Sequence, residues 1–498
     1  MVRIFERIDR TYSSPEDRKA VEDIIRLLDG HTYAVSLTAA QMKAGRIRPQ
    51  KMLDKLKEEG LNIQTRSSFA RAMGSKKATA YEYIQALFDF SRLDEESCDI
   101  LRNLACVPRE GFDIDLFMEF TGVDDFGAIS HLIDLNWVQN DEENDRIGLH
   151  MLIREMVWNQ LTPTLVSCRR LLEGVKSRVW DAWYHPYEEN CKLEGLIYSL
   201  MEYFPEPTPD TLDIFEYFAT FAWIQGNFEL ADSYEHKLYR LCENTYGAKS
   251  REAGNQALRV AAVYHNMGDY AKARPWYEAG WKALSEACGE TRDTCMACMK
   301  VGRSDAQLKN YGAAEEKYLH SRDVLTSLLN AADVSNEKEL EDITTLRAYT
   351  LMDLAHIYTC QNRCAEALPL ALESCEILKS VTTGSTALLI YAWMVLSYVY
   401  YGLKDYEKAA HYMEKAVKDN QEFHGENNID TVHFYEMQGD CLAMLEQYEQ
   451  AQAIYSKALG CRETYFPADE NALNRLNHKY TCAQKNENSG MPLLEIWS

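Results

Sequence analysis

One register constrains the chain more than any other feature of its sequence. An aromatic residue stands at Phe228, Tyr270, Tyr311, Tyr406 and Tyr448, with Cys364 in the same place once, at steps of 42, 41, 53, 42 and 42 residues. Three residues after each comes an alanine: Ala231, Ala273, Ala314, Ala367, Ala409 and Ala451. Nine residues before each comes a small residue: Ala219, Ala261, Gly302, Ala355, Ser397 and Gly439. Small residues at two such places let the arms of a helical hairpin approach closely, while the aromatic fills the space that opens at the turn. Self-similarity at this period is the signature of a helical solenoid. The spacing predicts six hairpins over residues 211–466, with the insertion in the long step forming a longer loop near LLNAADVSNEKELED.

The flanks read differently. Residues 1–90 form a helical domain, in which Ser14, Pro15 and early acids start a helix that Gly30 closes. Over 91–160, three helices led by acids precede WVQNDEENDRIGLH, two short apolar runs around a polar turn, and then a closing helix; three helices and a hairpin make the winged-helix plan. Residues 161–210 form an aromatic-rich helical joint that caps the array and ends in the breaker PEPTPD. A polar capping helix over 467–487 and a tail over 488–498 complete an all-α chain: helical subdomain, winged-helix domain, repeat superhelix.

Composition excludes several classes. Among 498 residues the apolar share is 46%, too high for wholesale disorder, and no apolar run is long enough to span a bilayer. The first residues, MVRIFERIDR, lack the apolar core of a secretory signal, and the 14 cysteines follow no disulfide-framework spacing, which together point to the cytoplasm. The net charge of −24 is uneven: residues 1–80 hold sixteen Lys and Arg against ten Asp and Glu, leaving 37 against 67 for the rest. An acidic array disfavours nucleic acid and steers basic partners toward it. The third helix of the winged-helix segment, DDFGAISHLIDL, carries acids and neither Arg nor Lys, so it is unsuited to a DNA groove.

The segments LLDGHTYAVSLTAAQMKAG and ILRNLACVPREGFDIDLFMEFTGVDDFGAISHLIDLNWVQ, followed by IGLHMLIREMV, resemble the helical and winged-helix regions of NB-ARC proteins, which are STAND signalling NTPases. The piece Leu149-His150, Ile153-Arg154-Glu155 is the most specific part. The resemblance implies a contact of His150 with the ADP β-phosphate and, more weakly, an adenine-side contact at Gly30, where Thr32 stands in place of the family's proline. The family's phosphate loop, G-x-x-x-x-G-K-[ST], does not occur, and Met1 opens almost where the nucleotide-binding sheet would end. The resemblance therefore implies no cofactor in this chain, with ADP or ATP bound only in a complete protein. The repeats resemble tetratricopeptide repeats of the longer, kinesin-light-chain type, with second aromatics at Tyr277, Tyr318 and Tyr455.

No constellation supports an enzyme. Cys295-Met-Ala-Cys298 lacks the second pair that zinc needs and reads as two buried cysteines, and His131 and His150 do not have metalloprotease spacing. What remains is a surface. Stacked hairpins present their first helices along a groove for a protein or peptide, lined by Asn266, Arg303 and His356, with no role for nucleic acid or membrane. The expected function is an interaction scaffold and sensor of a STAND-like system without its own NTPase core; the alternative is a plain repeat adaptor with a relic winged helix.

Overall fold

A computed structural model describes residues 14–28, 32–44, 46–66, 90–179, 187–331, 336–381, 386–424, 428–465 and 470–491. The chain is nearly all helical and divides into two compact units, residues 1–238 and 239–498.

The first unit opens with α1 (Pro15–Leu27), α2 (Thr32–Ala44) and α3 (Pro49–Arg66). Ser14 caps α1 by accepting the amide of Asp17 at 3.0 Å, Pro15 supplies a preset first turn, and Ala20, Val21 and Ile24 are its buried stripe. Next come α4 (Glu95–Leu104), β1 (Phe112–Asp113), α5 (Ile114–Thr121), α6 (Phe126–Asp134), β2 (Gln139–Asp141), β3 (Arg146–Gly148) and α7 (Met151–Gln160). Asp94, Asp113 and Asp125 each cap the helix that follows, so the acids read as helix starts do that work. Gly122, at φ 67°, ends α5 in the left-handed region.

The expected hairpin is β2–β3, and it gains an edge that the sequence did not announce. β1 pairs with β3, Phe112 opposite Ile147, giving the antiparallel order β1-β3-β2. Leu101, Leu104, Phe117, Ile129, Leu132, Ile147 and Ile153 close the core between sheet and helices.

Two further helices, α8 (Arg169–Val179) and α9 (Tyr187–Tyr203), lead to α10 (Leu212–Ile224) and α11 (Phe228–Tyr246). A Cβ at Gly174 would lie 2.6 Å from the Phe120 backbone, so only glycine lets α8 rest on α5. Trp158 of α7 stacks on Tyr203 of α9 with centroids 5.1 Å apart, and Phe215 of α10 on Tyr234 of α11 at 5.9 Å.

The second unit is a superhelix of hairpins: α12 (Arg251–Asn266) with α13 (Tyr270–Cys288), α14 (Arg292–Gln307) with α15 (Tyr311–Ala331), α16 (Glu337–Cys360) with α17 (Cys364–Val381), α18 (Ala387–Gly402) with α19 (Tyr406–His424), and α20 (Ile429–Met444) with α21 (Tyr448–Tyr465), followed by α22 (Glu470–Gln484). All six register alanines have 0% exposure. A Cβ at Gly439 would collide with the ring of Tyr455, and one at Gly302 would lie 3.2 Å from Tyr318, so the small residues stand where the second aromatics press in.

Every turn has the same geometry. Two residues before each anchor the backbone is left-handed: Gly226, Gly268, Lys309, Asn362, Lys404 and Glu446, with φ between 59° and 82°. The next amide reaches back five residues, as from Asp269 to the Tyr264 carbonyl at 2.9 Å, which seals the end of the first helix. The long step is built otherwise than expected. α16 has 24 residues where α12, α14, α18 and α20 have 16, and α15 has 21. Most of the insertion therefore lengthens these two helices; the added turn of α16 is largely exposed and is anchored to the core by Ile343.

Candidate protein-binding surface

First helices of successive hairpins touch one another directly at α14, α16 and α18, so their inner faces form one row. Helical spacing puts three positions of each helix on that face, counted from the small residue: one after it, two before it and six before it. These positions hold Arg259 on α12, Met296, Lys300 and Arg303 on α14, Tyr349, Asp353 and His356 on α16, and Tyr391 and Tyr398 on α18.

The row is cross-linked by charge. Arg303 reaches Asp353 at 3.5 Å and lies over the Tyr349 ring, 5.0 Å from its centroid. Tyr391 donates to the other oxygen of Asp353 at 3.1 Å and meets Tyr349 edge-on at 6.0 Å. Asp353 is 2% exposed; burial raises its pKa, against the pull of Arg303. Lys300 makes no ion pair among the described residues. Its pKa is lowered by burial and then by the like charges of Arg303 and Arg259. His265 is lowered to about 4 by burial, with Arg303 and Lys300 adding to the effect. Lys300 thus stands as a cation between Arg259 and the Arg303–Asp353 pair.

At the other end the charges are balanced internally. Glu436 on α20 is fully buried and receives Arg475 at 2.8 and 3.1 Å and Lys479 at 2.8 Å, both from α22. Lys479 also reaches Asp440 at 2.7 Å, and Tyr455 donates to Asp440 at 2.6 Å. Burial raises Asp440 to about 6 even against Lys479.

The three groove residues read from sequence are not one constellation. Arg303 and His356 hold the same position of the row on neighbouring first helices, and Arg303 is paired as described. Asn266, at the end of α12, is exposed and donates to its own helix at the Ala262 carbonyl, 2.6 Å away. His356 is 3% exposed, its Nε2 lies 3.5 Å from the Cys360 sulfur, and burial lowers it to about 3, so it is an interior neutral imidazole. Cys295 and Cys298 are buried, which pushes their thiols up to about 12 and about 11. No group of residues able to hold a metal occurs among the described residues.

In the first unit His150 caps α7, its Nδ1 accepting the Leu152 amide at 3.3 Å. It borders a cavity of about 390 Å³ with Arg109, Gln139, Glu155 and Trp158. Arg154, one turn on, is 6% exposed and donates to the carbonyls of Ala105, Val107 and Pro108 at 2.7, 2.5 and 3.1 Å. It ties α7 to the loop after α4, a role invisible until the two segments meet. Gly30 lies outside the described residues.

Residues 347–381 and 388–464 match family models described as tetratricopeptide repeat. The chain therefore carries tetratricopeptide repeats, and no helix among its described residues is long and apolar enough to cross a membrane. No curated protein matches it. Among solved structures, the kinesin light chain of Podosopora anserina with nearly identical TPR-like repeats is 13% identical, with TM-score 0.36, over 43% of this chain and 97% of that one. A STAND protein of Pyrococcus horikoshii with a tetratricopeptide-repeat sensor is 14% identical, with TM-score 0.39, over 90% and 72%. A Rap protein complexed with competence and sporulation factor is 11% identical, with TM-score 0.41, over 67% and 91%.

Proposed function

We propose that the second unit is a docking scaffold whose inner row of first helices holds an extended protein segment, and that the segment places an acidic group against Lys300. The observation that carries this reading is the half-buried ammonium of Lys300 beside two guanidiniums, a positive site that an incoming carboxylate would compensate. Net charge alone would favour a basic partner, but the local row has the opposite sign. Tyr349 and Tyr391, further along the row, offer rigid apolar faces. Peptides selected from a random display library on the full chain, measured by fluorescence polarisation, should be enriched in Asp and Glu. Lys300→Glu should weaken them about tenfold or more without lowering the melting temperature; selection of basic peptides, or indifference to Lys300→Glu, would overturn the reading.

We further propose that this scaffold is the sensing part of a STAND-like system, the resemblance at His150 and Arg154 being its support. The alternative is a plain adaptor. Denaturing the purified chain and assaying released ADP separates them, since a retained nucleotide fits only the first.

A further inference from the structure

Two cysteine sulfurs meet inside the first unit. Cys106 follows α4 and Cys168 immediately precedes α8; both have 0% exposure, and their Sγ atoms lie 3.8 Å apart across 62 positions of chain. Both sulfurs also face the Arg102 carbonyl, at 3.4 and 3.9 Å, and the Ser167 hydroxyl stands 3.9 Å from the Cys168 sulfur. The packing holds Cys106 in place, because Arg154 grips the carbonyls on either side of it, at Ala105 and Val107. Cys168 ends the short connection from α7, where Thr164 and Ser167 bond to each other at 2.8 and 3.1 Å and Val166 is 85% exposed. Bonds this local open at low cost, so a small oxidant reaches the Cys168 sulfur while Cys106 stays in place.

The two thiols differ in acidity. The Cys106 thiol donates to Cys168 and lowers its pKa against the effect of burial, with Ser167 and the charge of Arg102 adding to the pull. Cys106 is raised, by burial first and then by Cys168 itself. Elsewhere burial pushes thiols up, Cys375 and Cys441 to about 12, like Cys295. The thiolate is the nucleophile in thiol chemistry, so Cys168 is the sulfur suited to attack and Cys106 the one placed to follow. Closing a disulfide takes the sulfurs from 3.8 Å to about 2 Å, a short approach for two side chains already in contact.

We propose that Cys106 and Cys168 are a reversible oxidation site for a hydroperoxide, closed as a disulfide between the loop after α4 and the start of α8. The Cys168 thiolate attacks the peroxide: a sulfur–oxygen bond forms as the O–O bond breaks, leaving a sulfenic acid and a hydroxide that takes up a proton. The Cys106 sulfur then attacks Cys168, gives up its proton and expels the hydroxyl as water. Two electrons pass from the thiols to one peroxide, and a dithiol reductant returns them. The test uses the full chain carrying Cys191→Ser and Cys288→Ser, which removes the exposed thiols. One equivalent of hydrogen peroxide, then alkylation in denaturant and peptide mass mapping, should give the Cys106–Cys168 linked peptide as the main product. The melting temperature should rise on linkage and fall back with dithiothreitol. In Cys106→Ala the reaction should stop at Cys168, read as its dimedone adduct. Recovery of both cysteines as alkylated thiols after the peroxide is consumed, a linked pair that forms only in denatured chain, or a dimedone adduct on Cys106 in Cys168→Ala would overturn the assignment.

Discussion

At the scale of single residues, the interior is set by a few positions with no room to spare. Ala273 has 0% exposure between α12 and α13, so Ala273→Trp should cost at least about 2 kcal/mol by overpacking; chemical denaturation measures it, and an unchanged midpoint would count against the register. His356 gives a signed pH effect. Its folded pKa of about 3 lies below the ordinary histidine value, so the unfolded chain takes up a proton that the folded chain refuses. Stability is therefore lost as pH falls through the unfolded value, by about 2 kcal/mol between about pH 7 and about pH 5. Asp440 acts oppositely: raised to about 6, it favours the folded state as it protonates and offsets part of the loss. Denaturation across this range should show a shallower pH dependence in His356→Gln than in the parent. Arg154 shows what a sequence motif conceals. Its place beside His150 was legible, but its three carbonyl partners belong to a segment more than forty residues earlier.

At the scale of elements, the helices end where the turn chemistry ends them. Lys309, at φ 61°, holds a left-handed conformation that glycine fills at Gly226 and Gly268. Lys309→Gly should therefore stabilise the second unit by about 0.5–1 kcal/mol, the relief of left-handed strain exceeding the added chain entropy; a fall in melting temperature would contradict this. The capping helix α22 is held by charge as much as by apolar contact. Lys479→Met leaves Glu436 and Asp440 buried with Arg475 as their remaining cation, and should cost about 3 kcal/mol, seen as early loss of helical signal. A capping helix was foreseeable from its polar helical pattern. That its lysine and arginine cross to α20 was not, because pairing across some forty positions has no local signature.

At the scale of the whole molecule, charge and local chemistry pull in different directions. The chain carries −24, yet Lys300 stands as a cation between Arg259 and the Arg303–Asp353 pair. An acidic peptide should thus meet a repulsive long-range field before it reaches an attractive site. Its association rate in stopped-flow should rise with added salt, whereas that of a basic partner would fall. The sequence by itself determined the all-helical repeat class and the buried alanines of its register, because these depend on residues within one or two helical turns of one another and recur from repeat to repeat. Only the tertiary structure decided that the insertion lengthens α15 and α16, that His356 is interior, that β1 completes a sheet, and that Asp353 receives Arg303 and Tyr391. Those outcomes depend on which faces of separate helices meet, and a side chain's partner across such a junction is set by packing that no single stretch of sequence contains.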